Sequence, residues 1–142
     1  MTIKRPTLFQ LPLIGWREDV LLPDIGNSML VAKIDTGARS VALHADEIII
    51  TGKRVSFSIG ETRVTLPCLG TKRVKSSSGH SEVRAIIETR LEIGNHKFQA
   101  EITLTDRADM GVPMLLGRNT IKGRFLVNPA RSFLLSRKKK PK

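Results

Sequence analysis

From Val20 onward the chain alternates short apolar and β-branched runs with turn residues: VLL, MLVAKI, RVSFSI, TRVTL, EVRAIIETRLEI, KFQAEITLT, MLL, RFLV and SFLL. Runs this short, separated by Gly, Pro, Asn and Asp, predict a mainly β chain. Ile59-Gly60-Glu61-Thr62 and Gly94-Asn95-His96 divide alternating segments, so each predicts a hairpin. Helical pattern is confined to Arg118-Asn119-Thr120-Ile121-Lys122, a segment that Gly123 can end. Residues 1–14 carry weak pattern and read as a lead-in, 15–136 as one domain, and 137–142 as a solvated basic tail. No repeat with a period of a few tens of residues interrupts this reading.

Length and composition narrow the picture. The 142 residues suit one core, and with 40% hydrophobic but only 4% aromatic residues that core must be mainly Leu, Ile and Val. The net charge is +11, and +6 remains without the five basic residues of 137–142, so the body itself favours anionic partners. One Trp, five Phe and no Tyr leave little material for stacking bases, which argues against a single-stranded nucleic acid. A lone cysteine, Cys68, excludes an intramolecular disulfide and agrees with a reducing, cytoplasmic setting. The first residues lack a secretory pattern and every 18-residue window holds a charge, so no membrane partner is expected.

The candidate chemistry lies in Ala32-Lys33-Ile34-Asp35-Thr36-Gly37-Ala38, an acid at the end of an apolar strand followed by a hydroxyl and a glycine. Gly37 permits a tight turn against the carboxylate, and the Thr36 hydroxyl can fix the loop across a dimer axis. Asp-Thr-Gly alone is common in turns. Its weight comes from a second element, Met114-Leu115-Leu116-Gly117-Arg118-Asn119, which resembles the apolar-apolar-Gly element of aspartic peptidases, where the resemblance implies that Gly117 leaves room for a crossing before a short helix. Together the two resemble the active-site elements of aspartic peptidases. That resemblance implies a retropepsin-like closed β-barrel with one short C-terminal helix.

The likeness extends over roughly residues 15–135, through Gly15-Trp16-Arg17-Glu18, Ala42-Leu43-His44-Ala45, Ser78-Gly79-His80, Glu101-Ile102-Thr103-Leu104-Thr105, Asp109-Met110-Gly111, Gly123-Arg124-Phe125-Leu126-Val127 and Pro129-Ala130-Arg131-Ser132. Here the chain resembles a small bacterial family associated with RimK, often labelled ATP-dependent zinc proteases and including RimB. The resemblance implies a cytoplasmic dimer and, for the RimB branch, cleavage of the poly-α-glutamate tails that RimK adds. The residues give the label itself no support. His44, His80, His96 and Cys68 are scattered without zinc-ligand spacing, and no Gly-rich Lys-Ser/Thr loop for ATP is present, so neither metal nor cofactor is expected.

Hydrolysis of this type needs two carboxylates sharing one proton, and Asp24, Asp46, Asp106 and Asp109 lack the Thr-Gly context. The second acid is therefore expected from Asp35 of a homodimer mate. Arg39 stands where several retroviral enzymes carry an acid, so a cleft cation able to hold a substrate carboxylate replaces a cleft anion. Arg118, deprived of that acid, is expected to be structural and to pair with Asp46 or Glu47. The stretch 71–84 falls where such folds place a covering hairpin, and its Lys72, Arg73, Lys75, His80 and Arg84 are candidate contacts for an acidic peptide. The competing reading is a non-catalytic basic module that uses the same fold to hold an acidic protein or nucleic acid.

Overall fold

A computed structural model describes residues 10–75 and 79–137; most of the lead-in, Ser76 to Ser78 of the covering stretch, and the tail beyond Arg137 lie outside the described residues. The elements follow in the order β1 (Leu13–Ile14), β2 (Arg17–Leu22), β3 (Ser28–Ile34), β4 (Val41–His44), β5 (Asp46–Thr51), β6 (Arg54–Ile59) and β7 (Thr62–Pro67). Then come β8 (Gly70–Lys75), β9 (Ser81–Ile93), β10 (His96–Thr105), a 3₁₀ turn (Ala108–Met110), β11 (Met114–Leu116), α1 (Arg118–Ile121) and β12 (Leu126–Val127).

Six strands close a barrel in the order β10-β4-β11-β3-β2-β9, with β9 returning to β10. Both predicted hairpins form, β6 to β7 through Gly60 and β9 to β10 through Gly94-Asn95. The chain is thus mainly β with a retropepsin-like barrel and one short helix. Among the described residues β8 pairs with β9 alone, which leaves its other edge without a strand partner there; β5, β6 and β7 make a separate three-stranded sheet.

Alternation explains the interior. On β2, Val20 and Leu22 point inward, and on β9 so do Ile87, Leu91 and Ile93; all are fully buried with Leu43, Ile102, Leu104 and Leu116. Each such side chain contributes roughly 1.5–3 kcal/mol. Phe57 of β6 joins the same cluster and ties the small sheet to the barrel.

The period-two pattern on β2 also places Glu18 inside, with no exposed surface. A buried carboxylate persists only when its oxygens are satisfied. Oε2 accepts the N–H groups of Gly15 (2.7 Å) and Leu134 (2.8 Å). Oε1 accepts those of Leu135 (3.1 Å) and Ser136 (2.8 Å) and the Ser136 hydroxyl (2.8 Å). This accounts for SFLL, expected as a strand: the Leu134 and Leu135 amides face one carboxylate, the Phe133 N–H donates to the Arg17 carbonyl (2.8 Å), and the segment is assigned to no strand. Phe133 takes a positive φ of 55° there, and Arg17 lies between the rings of Trp16 and Phe133. Arg137 makes a fork onto Asp19 at 2.6 and 3.0 Å, while Ile14 of β1 is buried and pairs beside Val127.

Candidate active site

Asp35 follows directly on β3. The parallel register of β3 and β11 sets Ile34 beside Leu116, and the Asp35 N–H donates to the Leu116 carbonyl (2.9 Å). The acid therefore leaves the barrel where two parallel strands end. The Gly37 N–H donates to Asp35 Oδ1 (3.0 Å) and the Ala38 N–H to the Asp35 carbonyl (3.2 Å), which fixes the carboxylate in a tight turn. Asp35 is half-buried, and Thr36 and Gly37 are exposed.

Gly117 provides the crossing expected of it. A Cβ at that position would lie 2.3 Å from the Ser40 carbonyl oxygen and 2.7 Å from two further backbone atoms of Ser40. Beyond it, the opening N–H groups of α1, from Arg118 and Asn119, donate to the carbonyls of Ala38 (2.8 Å) and Arg39 (3.0 Å). The helix start thus spends its unpaired amides on the Asp35 loop. Gly117→Ala is expected to cost about 3 kcal/mol, because backbone rather than a mobile side chain must yield; urea unfolding checks this, and an unchanged midpoint would show that the loop gives way freely.

The expected partner of Arg118 is corrected. Its Nη1 donates to the Thr36 carbonyl (3.1 Å), while Asp46 lies 3.4 Å from His44 Nε2 and Glu47 3.6 Å from Arg63 Nη1. The loop turns its carbonyls toward α1, so a guanidinium there is satisfied without an acid.

A cleft of about 570 Å³ opens above Asp35. Its lining contains Arg39, Lys72, Arg73, Lys75, Arg84 and Arg107, and Asp35 is its single acid. β8 roofs it, and Lys72 Nζ reaches down to the Ser40 hydroxyl (2.6 Å), which ties roof to loop. Arg39, Arg73 and Lys75 are exposed, whereas Arg84 is 7% exposed. His80 lies apart: it lines an adjoining hollow with Val74, Ser81, Glu82, Arg84, Arg107 and Asp109. Arg107 is not singled out by the sequence, and Met110 enters there only within the Asp109-Met110-Gly111 likeness, because Asp106-Arg107-Ala108-Asp109 looks like a polar solvated turn. Pairing of β10 with β4 is what carries that turn to the cleft.

Glu82 holds Arg84 through Nε and accepts the Thr105 hydroxyl (2.8 Å). Burial pushes its carboxyl up, but the Thr105 hydroxyl and the guanidiniums of Arg84 and Arg107 together hold it below its ordinary 4.5. Stability that Glu82 adds is therefore complete above its unfolded value and is lost as pH falls through the lowered folded one. The gap in thermal midpoint between wild type and Glu82→Gln should close on acidification over that range; a gap independent of pH would contradict the pairing.

The histidines do not converge on one another. His96 packs edge-on against Phe125, with ring centroids 5.7 Å apart, and the Cys68 thiol donates to the Gly70 carbonyl (3.2 Å). His44 does meet acids: the ligand atoms of His44, Asp46 and Asp106 lie within 4.8 Å of one another, a grouping that sequence spacing does not suggest.

Residues 13–138 match the model of the RimB-like family, described as retropepsin-like aspartic endopeptidase RimB. The chain belongs to the RimB-like family. It is 33% identical over 138 residues to a "Probable alpha-L-glutamate ligase" of Shewanella pealeana and 32% identical over 130 residues to one of Desulfotalea psychrophila. These matches cover 89% and 83% of the chain but only 30% and 28% of the relatives, so this RimB-like chain spans less than a third of their length. Among solved structures, a Legionella pneumophila protein of unknown function superposes with a TM-score of 0.70 at 28% identity, covering 87% of this chain and 98% of that one. Among the described residues no helix is long and apolar enough to cross a membrane.

Proposed function

We propose that the chain is one subunit of a homodimeric aspartic endopeptidase that hydrolyses acidic chains, poly-α-glutamate in particular. The observation that carries this is a lone Asp-Thr-Gly carboxylate in a cleft whose other charged lining residues, among those described, are six cations. Family membership supports the aspartic chemistry. Relatives whose name refers to glutamate ligation support glutamate chains as the material handled.

In the reading offered here, two Asp35 side chains meet across a two-fold axis and share one proton, since two ionised carboxylates side by side repel. The ionised one takes a proton from water, whose oxygen attacks the scissile carbonyl carbon. The protonated one donates to the carbonyl oxygen. Transfer of a proton to the amide nitrogen then lets the C–N bond break, giving a carboxylate and an amine with the water consumed. Arg39, Arg73 and Lys75, exposed along the cleft, draw the acidic chain in.

Cleavage of a glutamate oligomer and of an apolar peptide, followed side by side by mass spectrometry, tests the reading. The oligomer should be cut and its KM should rise with salt, because exposed charges are screened beyond roughly 8 Å at physiological ionic strength. Preference for the apolar peptide, or a KM indifferent to salt, would reject the acidic substrate. Binding of the oligomer without turnover by a protein with intact Asp35 would favour a basic binding module instead.

A further inference from the structure

The six cleft cations are not equivalent. Arg84 is buried, and burying a guanidinium is tolerable only with a partner and with its remaining donors directed somewhere useful. Glu82, two residues earlier on β9, engages Nε, and Thr105 secures the same carboxylate oxygen from β10. Among the described residues Nε is the Arg84 donor engaged by protein, which leaves Nη1 and Nη2 for another acceptor. Arg107 repeats the arrangement from the turn after β10: its Nε lies 3.4 Å from Asp109 Oδ1, two residues later, and among the described residues its Nη atoms are likewise left for another acceptor. Both arginines line the cleft with Asp35 and also the adjoining hollow without it, so they stand on the boundary between the two. Glu82, Arg84 and Arg107 all line that hollow, which places both guanidiniums around one small region.

Resting on the reading of an acidic substrate, we propose that Arg84 and Arg107 form a paired fork that grips one carboxylate side chain of the substrate away from the cut bond, with Glu82 as the positioning residue that aims Arg84. A fork offers two parallel N–H donors in a fixed plane, which suits the two charged oxygens of a carboxylate better than the single oxygen of a neutral amide. The exposed cations attract any polyanion. The fork imposes register, because it accepts a carboxylate at one place along the chain.

The test is a set of labelled glutamate hexapeptides in which each residue in turn is Gln, bound to Asp35→Asn protein and cleaved by wild type. One position should dominate, with its Gln peptide bound roughly 10- to 100-fold more weakly, the size of a lost charged hydrogen-bond pair. In Arg107→Ala that positional penalty should vanish, and Arg107→Lys should not restore it. Glu82→Gln should raise KM for the all-glutamate peptide with kcat held, and it guards against an Arg84→Ala protein that fails to fold. Equal penalties at every position, or a positional penalty that survives Arg107→Ala, would overturn the fork while leaving the acidic substrate standing. Absence of binding to any glutamate peptide would remove both.

Discussion

Asp35→Asn is expected to lower peptide hydrolysis by at least about 1,000-fold, within the range contributed by acid and base catalysis together. The substitution is close to isosteric, and the amide oxygen can still accept the Gly37 N–H that holds Oδ1, so the loop and barrel should keep their form. A mixing experiment makes the prediction sharper. If two Asp35 groups must share a proton, a mixed dimer is as inactive as the doubly substituted one. Adding excess Asp35→Asn subunits, with time for exchange, should then suppress wild-type turnover as mixed dimers accumulate. Activity per wild-type subunit that stays constant on mixing would refute the two-carboxylate mechanism, since each chain would be acting alone.

The second large effect is on stability. Glu18→Ala should destabilise the fold by about 4 kcal/mol, because five donors lose one buried charged acceptor together. For a chain of this size that corresponds to a fall of about 12 °C in thermal midpoint. Glu18→Gln should recover little, since its amide group turns donors toward donors on one side of the pocket. Calorimetry of the three proteins checks this, and a loss below about 1 kcal/mol would mean that residues 134–136 hold themselves in place by other means. Native total stability is itself only about 5–15 kcal/mol, so the variant should also become prone to proteolysis near its C-terminal segment.

Much of this architecture was legible because it rests on local alternation. The two hairpins, β3 ending at Asp35, β11 and the short helix before Gly123 each follow from residue order within a single segment. What escaped depends on partners far along the chain. β4 and β5 are absent from the alternating runs until their neighbours supply ladders, whereas β8 and the start of β9 pair as the covering hairpin expected of 71–84. SFLL looks like a strand, and only the distant Glu18, an acid hidden in an alternating run, makes it something else. The site divides in the same way. Asp35 announces itself by its own neighbours, while Arg107 gains its place through the parallel pairing of β10 with β4, and the partner of Arg118 is a carbonyl that no side-chain pattern could indicate.

On its outer side β8 pairs with no strand among the described residues. A barrel closed on itself hides its backbone groups, which leaves this strand as the place where that sheet could zip onto a second copy and begin aggregation. Lys72, Arg73 and Lys75 stand along it, so two such edges brought together would set cation against cation. The residues that make the roof attractive to a polyanion are thus also its guard against self-association. A polyanion bound there neutralises the guard while covering the edge, and protein kept free of such chains should be the more sensitive to loss of those lysines.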